Sequence, residues 1–177
     1  QKTGWFYDQR DNRARLDRYI RDRRVLDVFS YVGTRAIRAA ARGAREVLGV
    51  DSSAPALELA AANAVLNGVS DQVQFQQGDA FEVLKALREA RERFDVVIVD
   101  PPAFIKRRKD LKEGTLAYRR INEMAMQVLE RDGLLVSCSC SQLFPREALE
   151  QTLLQASRHL DRNLVILEQG RQGPDHP

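Results

Sequence analysis

Short apolar runs rich in β-branched residues recur along the chain, each separated from the next by a stretch with helical spacing. The first, Val25-Leu26-Asp27-Val28-Phe29, passes into Ser30-Tyr31-Val32-Gly33 and reads as a buried strand ending in a turn. Ala36, Ile37, Ala40 and Ala41 then share one face of a helix that Gly43 stops. A second strand is expected at Val47 to Val50, ending at Asp51. Ser52 or Ser53 can cap the next helix, which carries Pro55 in its first turn, presents Leu57, Ala60, Ala61, Ala64 and Val65 on one face, and ends at Asn67-Gly68. The alternation continues with strands near Val73 to Gln76, Val96 to Val99, Leu134 to Cys138 and Leu164 to Leu167. Between them the spacing predicts helices near Phe81 to Arg91, Leu116 to Leu129 and Glu147 to His159, the last with Pro145 near its start.

Strands alternating with helices in this way predict an α/β fold, a doubly wound and mostly parallel sheet covered on both faces. No repeat, low-complexity tract or linker interrupts the pattern, so residues 1–177 read as one domain. The chain opens inside a motif and stops soon after the sixth expected strand, so a seventh strand is expected to lie beyond it.

Composition narrows the classes. Hydrophobic residues at 44% and charged residues at 30% exclude disordered and collagen-like chains. The 28 Lys and Arg against 25 Asp and Glu give a net charge of +3, which permits a nucleic-acid partner without diagnosing one. The distribution says more: Arg10, Arg13, Arg15, Arg18, Arg21, Arg23 and Arg24 fall in one stretch and Lys106, Arg107, Arg108 and Lys109 in another, as RNA contacts or as solvated faces. Cys138 and Cys140 lack a second pair of metal-ligand residues, so neither a disulfide framework nor a metal site is expected. No apolar run approaches the roughly 20 residues a membrane span needs, and no signal-like segment opens the chain, so a cytoplasmic protein is expected.

In open α/β sheets ligands bind at the carboxyl ends of the strands, where strand order reverses. After strand one comes Phe29-Ser30-Tyr31-Val32-Gly33, with Gly33 letting backbone approach a ligand. After strand two, Asp51 is placed to accept hydrogen bonds from a ribose diol, with Ser52 beside it; the same acid would serve as a helix N-cap. After strand three, Gly78-Asp79-Ala80 sets a carboxylate where an adenine amino group could donate, and Asp79 too could simply cap a helix. A dinucleotide would demand Gly-x-Gly-x-x-Gly to seat its pyrophosphate, and only Gly33 is present. S-adenosylmethionine has no phosphate, and three acids in register at strand ends suit it.

After strand four stands Asp100-Pro101-Pro102-Ala103-Phe104, a stiff turn whose Asp100 can orient the methionine part of that cofactor. Amino-group methyltransferases often place an aromatic where Ala103 stands. After strand five comes Ser137-Cys138-Ser139-Cys140-Ser141, a thiol beside the expected methyl donor. Carbon 5 of a pyrimidine is a poor nucleophile, and a thiolate adding to carbon 6 converts it to an enamine able to attack a methyl group. The alternative is that both cysteines are small strand-end residues.

Gln1 through Arg10 (Gln-Lys-Thr-Gly-Trp-Phe-Tyr-Asp-Gln-Arg), the Phe29 to Gly33 loop, Asp100-Pro101-Pro102 and Ser139-Cys140-Ser141 together resemble the bacterial large-subunit ribosomal RNA cytosine-C5 methyltransferases, over essentially the whole chain. The resemblance implies a Rossmann-like class I methyltransferase fold, S-adenosylmethionine as cofactor with S-adenosylhomocysteine as product, and 23S ribosomal RNA as partner. It implies Cys140 as nucleophile, Asp51 and Asp79 as ribose and adenine contacts, and Asp100 as the acid near the methionine part. Phe6, Asp8 and Arg10 match a segment lining the cofactor pocket, and the site is completed by Phe29, Ser30, Gly33, Ser52, Ala80 and Pro101. An N-terminal RNA-binding PUA domain is usual in the family and is absent from this stretch. Position 138, aromatic in relatives, is a cysteine here, and the second cysteine that other RNA cytosine-C5 methyltransferases carry beside Asp-Pro is missing. Oligomeric state stays open, a homodimer being one arrangement. Competing readings are guanine or adenine N-methylation by the same fold, an inactive RNA-binding module, and a nicotinamide dehydrogenase.

Overall fold

The apolar runs become five strands in a computed structural model that describes residues 7–173. They are β1 (Arg24–Val28), β2 (Glu46–Asp51), β3 (Val73–Gln77), β4 (Phe94–Val99) and β5 (Leu129–Ser137). All pair in parallel, in the order β3-β2-β1-β4-β5. Central strands of such a sheet are covered on both faces, which is why β4 reads as the unbroken apolar run Val96 to Val99. Six helices do the covering: α1 (Arg10–Leu16), α2 (Thr34–Ala41), α3 (Ala54–Leu66), α4 (Ala80–Glu89), α5 (Leu111–Gln127) and α6 (Arg146–His159).

Side-chain alternation sorts the core into two layers. Val25, Val47, Val96 and Ile98 pack with Ala36, Ile37 and Ala40 of α2, Ala64 of α3, and Leu16 and Ile20 from the amino-terminal segment. On the opposite face Leu26, Val28, Val50, Val97 and Val99 meet Val83 and Leu84 of α4 and Ile121 and Ala125 of α5. Each such fully buried aliphatic side chain contributes roughly 1.5–3 kcal/mol. The doubly wound parallel sheet expected from the alternation is therefore what forms.

The chain lays β2 and β3 on one side of β1 and then returns to place β4 on the other. Strand order reverses between β1 and β4, so the loops leaving their carboxyl ends turn apart and leave a crevice.

Four expectations need correction, the first on α2, where Ala39 is buried and Ala41 exposed. Residues 164–167 form no strand: Arg162 donates to the carbonyls of Met126, Leu129, Glu130 and Arg131, and the chain beyond is tied to α1 by polar bonds. Those bonds run from Arg15 to the Gln169 carbonyl and from Asn12 to the Arg171 carbonyl. Val165, Ile166 and Leu167 stay exposed. On α3 the buried stripe is Ala56, Leu57, Ala60 and Ala64, while Ala61 and Val65 face solvent, because a helix apolar nearly all round offers the sheet more than one face. β5 opens at Leu129, opposite Phe94, and reaches Leu134 only after an irregularity in register.

Gly33 marks where the first loop enters the core. Its φ is +78°, and a Cβ there would lie 2.9 Å from Phe75, 3.0 Å from Ile37 and 3.1 Å from Ala60. Gly33→Ala is expected to lower unfolding free energy by about 2–3 kcal/mol, from left-handed strain plus overpacking. Urea unfolding measures this, and a loss below about 0.5 kcal/mol would contradict it.

Candidate active site

Two loops border the crevice. In the one after β1, Phe29, Tyr31 and Gly33 all have positive φ, at 67°, 52° and 78°. Non-glycine residues hold that conformation only where surroundings impose it. Here the Ser30 N–H donates to the Val50 carbonyl, the Tyr31 N–H to Asp51 Oδ2 at 2.8 Å, and Asn63 Nδ2 to the Val32 carbonyl. Asp51, at the end of β2, also accepts the Ser53 N–H at 2.9 Å through Oδ1. Each carboxylate oxygen thus spends one acceptor site on backbone and keeps another. Ser52 is exposed, and Ser53 caps α3 by accepting from the Ala56 N–H.

Asp79 caps α4: its Oδ1 accepts from the Phe81 and Glu82 N–H groups, and Oδ2 is left over at an exposed position. Ala80 is buried behind it. Asp51 and Asp79 are therefore loop-holding acids, and among the described residues each keeps acceptor capacity that the backbone does not use.

At the crevice, Arg35 Nη1 donates to Asp100 Oδ2 at 2.6 Å. Behind them lies Asp27 of β1, only 1% exposed, whose Oδ2 accepts the Ala36 N–H while Oδ1 has no partner. Burial works against the Arg35 charge, but Asp100, Cys138 and Asp27 outweigh it and raise its pKa above the ordinary value. Burial pushes the Asp27 carboxyl up to about 7, with Arg35 opposing and Asp100 and Asp51 adding to the rise.

Burial, reinforced by Asp100, pushes the Cys138 thiol up to about 12. Cys140 is exposed, and its thiol faces the Pro101 carbonyl at 3.8 Å; partial burial and Asp100 raise its pKa as well. The serines beside it form a latch. Ser139 Oγ donates to the Tyr118 hydroxyl at 3.0 Å, Tyr118 and Ser141 Oγ are 2.8 Å apart, and Ser141 Oγ accepts the Ile105 N–H. Tyr118 is fully buried on α5, stacked on Phe144 and edge-on to Phe104.

Of the other expected site residues, Phe6 lies outside the described residues. Asp8 is buried, and its carbonyl accepts the Gly173 N–H. Arg10 is exposed on α1, paired with Asp11. Phe29 packs against the α4 and α5 layer, and Pro101 is buried. Arg35, Asp27 and Tyr118 were not singled out from sequence. Asp27 carried a signal, being one acid inside an apolar five-residue run; Arg35 and Tyr118 read as ordinary helix positions.

An S-adenosyl cofactor needs acceptors for a ribose diol and an ammonium, and a donor for a carboxylate. Asp51, Asp100 and Arg35 are groups of these kinds at the crevice. The buried atoms without a partner among the described residues, Asp27 Oδ1, Ser30 Oγ and Ser137 Oγ, cluster toward the same strand ends, with Asn122 Oδ1 on α5 the exception. The residues fit the group. Among the described residues no helix is long and apolar enough to cross a membrane.

Comparison with known proteins agrees. A family model described as S-adenosylmethionine-dependent methyltransferase matches residues 1–175. The chain is 41% identical over 177 residues to ribosomal RNA large subunit methyltransferase I of Tolumonas auensis, covering 99% of this chain and 45% of that protein. It is 38% identical to the Citrobacter koseri protein of the same name, with the same coverage. The chain thus spans less than half the length of these relatives. Among solved structures, a candidate methyltransferase complexed with SAH superposes with a TM-score of 0.77 at 24% identity, over 87% of this chain and 41% of that one. A SAM-dependent methyltransferase from Agrobacterium tumefaciens gives 0.67 at 24% identity, over 85% and 51%. At that identity the likeness shows the fold.

The buried Asp27 yields a pH signature. Its carboxyl titrates near 3.8 ordinarily and near 7 in the fold, so the native state holds the extra proton between those values. Asp27 thus contributes stability that is complete below pH 3.8 and lost as pH rises through about 7. The unfolding free energy of wild type minus that of Asp27→Asn is expected to fall across that window by up to about 1.4 kcal/mol per pH unit, then level off. Urea titrations over a pH series read it, and a difference that rises with pH would contradict it.

Proposed function

Since the chain belongs to the S-adenosylmethionine-dependent methyltransferase family, we propose that it transfers a methyl group to carbon 5 of a cytosine in large-subunit ribosomal RNA, with Cys140 as nucleophile. The carrying observation is the placement of Cys140: an exposed thiol at the crevice, against the Pro101 carbonyl and latched on both sides. Cys138, more deeply set and pushed up to about 12, is the poorer nucleophile. The names of the relatives support the choice of RNA.

Asp51 holds the cofactor's ribose, Asp79 its adenine, and Asp100 the methionine end. Bound there, the cofactor supplies an electrophilic methyl group and a positive charge that offsets the field of Asp100 on the thiol. Cys140 gives its proton to a base and adds as the thiolate to carbon 6 of the cytosine, which makes carbon 5 an enamine carbon able to take the methyl group, with S-adenosylhomocysteine as the leaving group. A base then removes the carbon 5 proton, and the sulfur–carbon bond breaks to restore the ring and the thiolate. The raised pKa of Cys140 keeps the thiol protonated before the cofactor and the cytosine are in place.

The two basic stretches divide in role. In the opening one, Arg18 pairs with Glu168, Arg23 with Asp95, and Arg24 with Glu46 and Glu92. In the loop after Pro102, Lys106, Arg107, Arg108 and Lys109 are all exposed, and among the described residues only Arg107 has a carboxylate partner, Asp110. That loop meets the RNA backbone beside the crevice.

In the full-length protein, Cys140→Ala is expected to lower carbon 5 methylation of ribosomal RNA at least 1,000-fold and Cys138→Ala less than tenfold, by mass spectrometry of RNA nucleosides. Retained methylation in the first variant would point to a nitrogen acceptor. Replacing Lys106, Arg108 and Lys109 with alanine should make the slope of log affinity against log salt shallower by about 2. An unchanged slope in filter-binding titrations would remove this loop from the RNA surface.

A further inference from the structure

The geometry points to Arg35 and Asp100 as a joint receptor for the α-amino acid end of the cofactor, with Arg35 taking the carboxylate and Asp100 the ammonium; this rests on the cofactor reading above. Arg35 is the second residue of α2, immediately beyond the strained loop, and its side chain is only 16% exposed. A guanidinium has five N–H donors. Here one of them, on Nη1, meets Asp100, and no other acceptor among the described residues receives a hydrogen bond from this side chain. Asp100 is equally incomplete: Oδ2 is engaged, and Oδ1 accepts no hydrogen bond among the described residues.

Taking a cation and an anion out of water is costly, and attraction between them offsets the cost only where the remaining donors and acceptors are also satisfied. This pair leaves most of them open. The buried carboxyl of Asp27 behind it, with Oδ1 unpartnered, adds a further unsatisfied group at the same place. A ligand carrying one carboxylate and one ammonium on adjacent atoms complements that arrangement. The rest of the guanidinium fork suits a carboxylate in bidentate fashion, and the free Asp100 oxygen suits an ammonium. Both the ion pair and the zwitterion are net neutral, so binding leaves the local charge unchanged. A phosphate group, by contrast, would bring Asp100 a second anion.

Calorimetry on the full-length protein separates the arm from the nucleoside. S-adenosylhomocysteine has the amino acid arm; methylthioadenosine keeps adenine, ribose and thioether and lacks it. Arg35→Met is expected to weaken S-adenosylhomocysteine binding at least tenfold while methylthioadenosine binding stays within about twofold, and Arg35→Lys to recover part of the loss. Unchanged affinity for S-adenosylhomocysteine in Arg35→Met would overturn the inference. Equal loss of both ligands would overturn it as well, by making Arg35 a determinant of the fold. If wild type bound neither ligand, the cofactor reading would fall, and this inference with it.

Discussion

A sheet whose five strands all run the same way brings five carboxyl ends to one edge, and that edge has to satisfy the backbone groups its loops leave unpaired. Helix starts add to the demand, because the first N–H groups of each helix have no internal partner. The acids and serines at the strand ends meet it. Asp51 takes N–H groups from two loops, Asp79 takes two from α4, and Ser141 takes one from Ile105. A carboxylate with roughly four acceptor sites is not exhausted by two hydrogen bonds. The same residues therefore hold the loops and keep acceptor sites at the crevice, so a capping role does not exclude a contact role for one carboxylate.

Electrostatics at that edge turns on one guanidinium. Asp27, Asp100 and Cys138 all lie close enough to Arg35 to feel its charge, and burial magnifies each interaction. Arg35 opposes the rise that burial, Asp100 and Asp51 impose on the Asp27 carboxyl. The cluster also separates the thiols. Cys138 sits inside it, where burial and Asp100 hold it protonated, whereas Cys140, two residues further along, has left the strand and reached solvent. Of the two thiols, the outer one is the exposed one.

Much of this was legible in the sequence, and the failures have physical causes. Strands buried on both faces write themselves as apolar runs, so β1, β2 and β4 were placed to within a residue or two. The acids after β2, β3 and β4 could be found because strand ends are where such folds bind ligands. Residues 164–167 share the apolar character of a strand yet pair with nothing, because Arg162 and the polar face of α1 direct that segment away from the sheet. No local pattern announces such a long-range anchor. Arg35 escaped for a similar reason: an arginine in the first turn of a helix is ordinary until the fold sets Asp100, 65 residues away, against it.

The triplet Ser139-Cys140-Ser141 shows why a reactive side chain can sit on a loop and still be precisely held. Ser139 donates to the Tyr118 hydroxyl, that hydroxyl shares a hydrogen bond with Ser141, and Ser141 in turn accepts the Ile105 N–H from the loop after β4. Both loops thus hang from one phenol, and the phenol is fixed because its ring is buried between Phe144 and Phe104. Side chains of this kind position chemistry well when their own rotamers are locked by packing. Since both flanking serines are engaged in the latch, the central residue is the one member of the triplet whose side chain is free to react. Its contact with the Pro101 carbonyl then brings it to the same turn that carries Asp100, so the proposed nucleophile and the proposed cofactor-facing acid are set by one small network anchored in α5.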